Sequence, residues 1–374
     1  MGNPNTSTPQ NGNDKNGSSK TVWTKISILG VILFAAFMVA LLLIPEHVAG
    51  LFTAMADKAF TNGFSIYLMT NVGAGIVVSV IIGRLLERGG VTDGLVKLFT
   101  PLAKVLKMNP TTLVPGLYNF LGDVNAAGRI TAPILQNAKT TIDEKKIAIA
   151  TMLQLPPAFG AFLYGIKLLA VGEINAFFVV VLGCLIPLFL VPLVLRFTIY
   201  RKCEYKDVMS EIPSFTPSGK NIVDTIFDGA IEGADVLIRL ILPTTCAIFA
   251  IVAALEYFSV WPFIEKAFMA LLQLCNIEPT TGMRTLLISG AVGQPALIEL
   301  IGTGVTVESK VIVASMLFGS SCMQFVLPLC QVPIVWKKNT DLTFGQAIQA
   351  CLISWVFRII WIALVSYLIV PIFY

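Results

Sequence analysis

Seven apolar runs, each long enough to cross a bilayer, decide what this chain can fold into: Ile26 to Ile44, Phe64 to Gly83, Ile147 to Ile166, Ala176 to Leu195, Val236 to Ala254, Val311 to Val335 and Leu352 to Phe373. A transmembrane helix needs about 20 predominantly apolar residues, and in lipid only helices and closed barrels satisfy every backbone polar group. The composition agrees: 13% of the 374 residues are charged, against about 25% in a soluble domain, and mean hydropathy is +0.80. The chain therefore reads as an all-α polytopic membrane protein. Its net charge of +4 is spread along the chain, which argues against a nucleic-acid surface.

Residues 1–20 are almost devoid of apolar side chains and read as a disordered cytoplasmic tail, followed by a first transmembrane helix over 21–45. That first run ends in Pro45-Glu46-His47 rather than a small-residue cleavage site, so it reads as a retained span and not a signal peptide. Seven cysteines without a C-x-x-C pair suggest neither a disulfide framework nor a zinc site. With His47 as the single histidine, no His-dependent triad or H-E-x-x-H site can be assembled. An enzyme is not expected.

Two further stretches, Thr111 to Leu135 and Thr280 to Thr303, are long enough to enter the membrane but are interrupted by Pro, Gly and polar residues. Charge decides how often they cross. Eighteen of the 26 basic residues fall in the N-terminal stretch up to Lys25, in 84–107, 139–146 and 196–220, and at Lys337-Lys338, which the positive-inside rule puts in the cytoplasm. Arg84 and Lys145-Lys146 are then on the same side, so the stretch 111–135 enters and leaves from the cytoplasm. The same count makes 280–303 begin and end outside. Both are expected to be re-entrant helical hairpins, one from each face.

The chain also repeats itself. Asn109-Pro110-Thr111-Thr112 opens the first hairpin and Glu278-Pro279-Thr280-Thr281 the second; after each comes a second match, Glu144 to Leu153 against Glu308 to Leu317. Each hairpin follows an amphipathic stretch. In the first, Asp93, Lys97, Thr100, Lys104 and Lys107 form one helical stripe, which suits a helix lying in the membrane plane. The expected organisation is repeat 1 over 46–200, a cytoplasmic loop over 201–220, and repeat 2 over 221–374 in inverted orientation. About seven transmembrane helices and two hairpins result, an arrangement used by secondary transporters, whose discontinuous helices meet at a midplane site.

Polar residues inside these segments mark candidate solute-binding positions. The first hairpin carries Asn119, Asp123, Asn125 and Arg129, and ionisable groups at membrane depth line a cavity or pair with each other. The plain alternative is an Asp123 to Arg129 ion pair holding the hairpin shut. In the second hairpin Gln294 can both donate and accept hydrogen bonds. Gln154-Leu155-Pro156-Pro157 breaks the third span, and Gly319-Ser320-Ser321-Cys322-Met323-Gln324 lies in the related part of the sixth, so Gln154, Ser320 and Gln324 join the candidates. Freed carbonyls there suit Na⁺ or the solute; a simple proline kink with serine packing is the alternative. Arg239 and Arg358 read as anchors that snorkel to the cytoplasmic surface.

The segments Gly122-Asp123-Val124-Asn125-Ala126-Ala127 with Thr131-Ala132-Pro133, and Gly290 to Leu297, resemble the two halves of spore maturation proteins A and B fused in one chain. These belong to the nucleoside-recognition, or Gate-domain, membrane family, which also touches the concentrative nucleoside transporters. The resemblance implies a multi-pass bacterial inner-membrane protein with an interfacial-helix, hairpin and broken-span core, and the charge count above puts its N-terminus in the cytoplasm. In the nucleoside transporters the first hairpin carries a Gly-Gln-Thr-Glu type string; here the matching residues are Gly122-Asp123-Val124-Asn125. A transporter of a small polar solute, nucleoside-like or a related metabolite, is the leading expectation. A non-transporting component of spore or envelope assembly is the alternative. The expected partners are the bilayer and the solute, with self-association left open; no cofactor is expected, and a coupling Na⁺ or H⁺ is left open.

Overall fold

The computed structural model describes residues 24–69, 71–121, 123–155, 174–203, 219 and 221–373. The N-terminal tail, Gly122, the Pro156-Pro157 break and most of the 201–220 loop lie outside the described residues. The described chain is helical throughout, with no strand among these residues. By packing it divides into two compact units, Met1–Phe52 and Thr53–Tyr374.

Helix α1 (Lys25–Leu43) starts where Thr24 accepts a bond from the Ser27 amide, and none of its residues is buried. Helix α2 (Pro45–Met69) and α3 (Asn71–Arg88) meet at a 51° bend. The bend interrupts the apolar run Phe64 to Gly83, which is therefore not one straight helix. Gly73 makes it possible: a Cβ there would lie 2.0 Å from the Tyr67 carbonyl oxygen, so the start of α3 rests directly on the last turn of α2.

Helix α4 (Val91–Leu106) is followed by a 3-10 turn (Pro110–Leu113), α5 (Val114–Leu121), α6 (Val124–Asn137) and α7 (Ile142–Met152). The stripe Thr92, Val96, Phe99, Ala103 and Leu106 of α4 is buried, whereas Leu98 and Val105 are exposed beside Lys97 and Lys104. The helix is amphipathic as expected, but its apolar side is divided between the protein core and a face left for other apolar surroundings. Helices α5 and α6 pack on each other as a hairpin. Thr141 and Glu144 form a capping box at the start of α7.

Two helices, α8 (Ile174–Leu185) and α9 (Pro187–Phe197), precede α10, a continuous helix over Ile222–Tyr257. At 36 residues α10 is about 54 Å long, well beyond the roughly 30 Å hydrocarbon core. Then the earlier series recurs: α11 (Trp261–Leu274), α12 (Pro279–Leu287), α13 (Gly290–Gly302) and α14 (Ser309–Gly319) match α4, α5, α6 and α7 in order and nearly in length, and α12 packs on α13 as α5 does on α6. The cap chemistry recurs too. Asn109 accepts from the Thr111 amide before the first hairpin, and Glu278 accepts from the Thr280 and Thr281 amides before the second. Helix α14 ends at Gly319, so the run Val311 to Val335 is not one helix: a wide turn at Leu327–Gln331 leads into α15 (Val332–Asn339). Helix α16 (Phe344–Phe373) closes the chain.

Four of these helices, α1, Phe178–Phe197, α10 and α16, are long and apolar enough to cross a membrane, and the bent pair α2–α3 makes up to five. Helices α7 and α14 end at Met152 and Gly319, each inside an apolar run of spanning length, and the candidate site lies at these two ends.

Candidate functional site

Helix α7 stops at Met152, and a helix that stops inside a core leaves carbonyls without partners. Asn119, on the last turn of α5 and fully buried, adds donors there: its Nδ2 donates to the Met152 carbonyl at 2.8 Å, which also accepts the Leu155 amide at 3.3 Å, and to the Leu155 carbonyl at 2.7 Å. These carbonyls, expected from the sequence to be available to an ion, are already engaged. Asn119 Nδ2 also lies 3.4 Å from Cys322 Sγ, while its Oδ1 is buried without a partner.

The second half repeats the device. Gln294, on the second turn of α13, sends Nε2 to the Met316 carbonyl at 3.2 Å and to Ser320 Oγ at 2.5 Å, both at the end of α14. Met152 and Met316 are the equivalent residues of the matched segments, so each hairpin puts one amide side chain on the same carbonyl of its own broken helix. The contact is close because glycines line it. A Cβ on Gly290 would lie 1.7 Å from the Gly319 carbonyl oxygen, which no L side chain can tolerate without backbone movement. The two breaks also touch: the Cys322 amide donates to the Leu153 carbonyl at 3.3 Å.

Gln154 is fully buried and turns toward α16, where Nε2 donates to the Ser354 carbonyl and Oγ, both at 2.7 Å; its Oε1 has no partner. Gln324 is partly buried, and its Oε1 is likewise unpaired. Asp123 caps α6, accepting from the Asn125 and Ala126 amides. Asn125 donates to Gln331 Oε1 at 2.9 Å, and Gln331 passes the chain to Thr244 at 3.0 Å. The Asn125 Oδ1 is buried and unpaired.

The Asp123 to Arg129 pair does not form. Arg129 instead meets Asp235 on α10 at 2.9 Å, and Asp235 also holds Arg239 at 2.9 Å. Arg129 points away from the hairpin tip because it lies more than a helical turn below Asp123, on the face of α6 turned to α10. Arg239 is largely exposed, as an anchoring residue would be. Arg358 is not an anchor: it is fully buried, with Nη2 bonded to the Leu317 carbonyl. It faces Cys184 and Cys322, and Cys184 in turn faces Ser320.

Sequence reasoning singled out Asn119, Gln154, Gln294 and Ser320, and these four sit in one buried polar region around the two breaks. Asp123 lies within electrostatic reach of Cys322 in that region, whereas Asn125 bonds to Gln331 and Arg129 to Asp235. Arg358 and Gln331 were missed. A polar residue midway along an apolar helix, as in Ser354 followed one turn later by Arg358, was the available signal. The groove of about 550 Å³ between α9 and α16 is lined by apolar side chains such as Val194, Leu352 and Val356 and holds none of these groups. Among the described residues no three His, Cys, Asp or Glu side chains gather as metal ligands would, and all seven cysteines are free.

No family model, no characterised protein and no solved structure matches the chain, so its own geometry carries the functional reading.

Proposed function

We propose that the protein is a membrane transporter of a small polar solute, nucleoside-like or a related metabolite, working by alternating access. In this reading α5–α6 and α12–α13 are re-entrant hairpins that enter from the cytoplasmic and outer faces, and α7 and α14 are the first halves of broken spans. The repeats are inverted, as the distribution of Lys and Arg requires. Together with the remaining apolar segments this gives about seven spans in a bacterial inner membrane, with the N-terminus in the cytoplasm.

One observation carries the reading. Asn119 and Gln294 hold equivalent carbonyls, Met152 and Met316, at the two interruptions, and the interruptions lie against each other. Irregular backbone at membrane depth is tolerated where protein or an aqueous cavity covers it, and paired interruptions are where transporters of this architecture hold their cargo. The orphaned amide oxygens of Asn119, Asn125, Gln154 and Gln324 support the same view. A buried acceptor without a donor costs about 1–3 kcal/mol, a cost that a solute bearing N–H or O–H groups removes on binding.

Proteoliposome uptake tests this. Labelled nucleosides, nucleobases, amino acids and organic acids are offered with and without inward Na⁺ and proton gradients. Saturable uptake of one class, lowered by Asn119→Ala and Gln294→Ala, is expected. No uptake across the panel under any gradient would refute the proposal.

A further inference from the structure

We infer that the solute carries an oxyanion group, a carboxylate or phosphate, and that Arg358 receives it between the two helix interruptions. The inference rests on the transport reading for its location, and on Arg358 for its chemistry.

Arg358 sits on the fifteenth residue of α16, about 21 Å along the helix from Phe344. It is 0% exposed. A guanidinium keeps its proton under any biological condition, so this is a permanent positive charge in the interior. Among the described residues no carboxylate is within ion-pair distance of it: the aspartates and glutamates that make ion pairs are engaged elsewhere, Asp235 with Arg129 and Arg239, Glu232 with Arg84, Asp341 with Lys145.

Its bond from Nη2 to the Leu317 carbonyl falls at the C-terminal end of α14, where the helix dipole is negative, and its other close polar neighbour is the Cys184 thiol. That offsets part of the charge. Nε and Nη1, with three N–H donors between them, are buried and unpaired. A group placed merely to tie down a helix end would leave fewer donors idle, and a neutral donor would do it without the cost of desolvating an ion.

The surroundings suit an incoming anion. Cys184 and Cys322 lie near Arg358, Ser320 contacts Cys184, and Asn119 lies 3.4 Å from Cys322, so a chain of polar contacts runs from Arg358 to the Asn119 and Gln294 bonds that hold the two hairpins. Arg is the residue that best matches the planar oxygens of carboxylate or phosphate. A bound oxyanion supplies both the missing counter-charge and the missing acceptors.

The test is thermal unfolding of the purified full chain in lipid nanodiscs at fixed ionic strength, with sodium chloride, sodium phosphate, sodium succinate or the uncharged dimethyl succinate. Phosphate or succinate is expected to raise the wild-type midpoint by about 3 °C or more at saturation, with no rise from chloride or the diester. Arg358→Gln should abolish the response while unfolding at or above the ligand-free wild-type midpoint, because an uncompensated charge has been removed. Arg358→Lys, which keeps the charge but loses the planar fork, should respond at least tenfold more weakly in ligand concentration, and it carries the test if the Gln variant does not fold. A response to chloride alone, no anion response at all, or an unchanged response in either variant overturns the inference. Anion binding without uptake would remove the transport reading and leave this one; uptake of a neutral solute with no anion response would do the reverse.

Discussion

Replacing Gly290 by alanine probes the contact between the second hairpin and the α14 interruption. The added Cβ would be placed 1.7 Å from the Gly319 carbonyl oxygen and 2.7 Å from its carbon. An ordinary carbon-to-heavy-atom contact is about 3.5 Å, so one of the two backbones must retreat by well over an ångström, and no rotamer change can absorb it. Overpacking of this kind costs about 1–3 kcal/mol. The lower chain entropy of alanine in the unfolded state returns about 0.4–1 kcal/mol. A net loss of about 1–2 kcal/mol is expected, which lowers the midpoint by about 2–6 °C. Gly302, at the far end of the same helix, has nothing within 4 Å of its would-be Cβ, and Gly302→Ala is the control. Thermal unfolding followed with a thiol-reactive dye reads this directly, since Cys184, Cys203, Cys275, Cys322 and Cys351 are buried and react only on unfolding. If Gly290→Ala melts at or above wild type, the close approach of α13 to Gly319 is wrong, and with it the geometry assigned to Gln294.

Other outcomes follow from the same contacts. Asn119→Ala removes the side-chain donor from the buried Met152 and Leu155 carbonyls, leaving the first to the Leu155 amide at 3.3 Å and the second to the Cys322 thiol at 3.8 Å, and should cost about 1–3 kcal/mol in the same unfolding assay; a loss under 0.5 kcal/mol contradicts the bonding described. Lys145 is 1% exposed and reaches the half-exposed Asp341 at 2.7 Å, so Asp341→Ala, which leaves a buried cation, should destabilise by about 2 kcal/mol and more than Lys145→Met does; the reverse order refutes the pairing. The partly exposed Arg129 to Asp235 bridge should show a coupling of only about 0.5–1 kcal/mol in a double-mutant cycle with Gln and Asn. Coupling above 2 kcal/mol would make it a structural lock between α6 and α10.

Some of this could be read from residue order and some could not. The hairpin positions were legible because Pro, Gly and polar residues interrupt long apolar runs, and the repeat was legible because Pro-Thr-Thr and the Glu144 and Glu308 segments recur. The broken runs were harder. Val311 to Val335 is apolar enough to be one span by composition, and the stop at Gly319 depends on Gly290 and Gln294 packing against it from a distant segment. Arg129 was matched to its neighbour Asp123, yet its partner Asp235 is more than a hundred residues away, as tertiary pairings commonly are. Arg358 was misread for a related reason: its depth depends on where α16 begins, and the Thr343 and Gln346 capping box starts that helix well before the apolar run at Leu352.

The central claim is that the two helix pairs turn back toward opposite faces of the membrane. Single cysteines at Lys104 and Asn137 flank the first pair and at Gln273 and Val305 the second, and all four positions are exposed. In right-side-out and inside-out vesicles, with wild type as the background of mostly buried thiols, a membrane-impermeant maleimide should label 104 and 137 only from the cytoplasmic side, and 273 and 305 only from the outer side. If 104 and 137, or 273 and 305, label from opposite sides, that pair crosses the membrane, the repeats are not inverted as described, and the transport mechanism built on them fails.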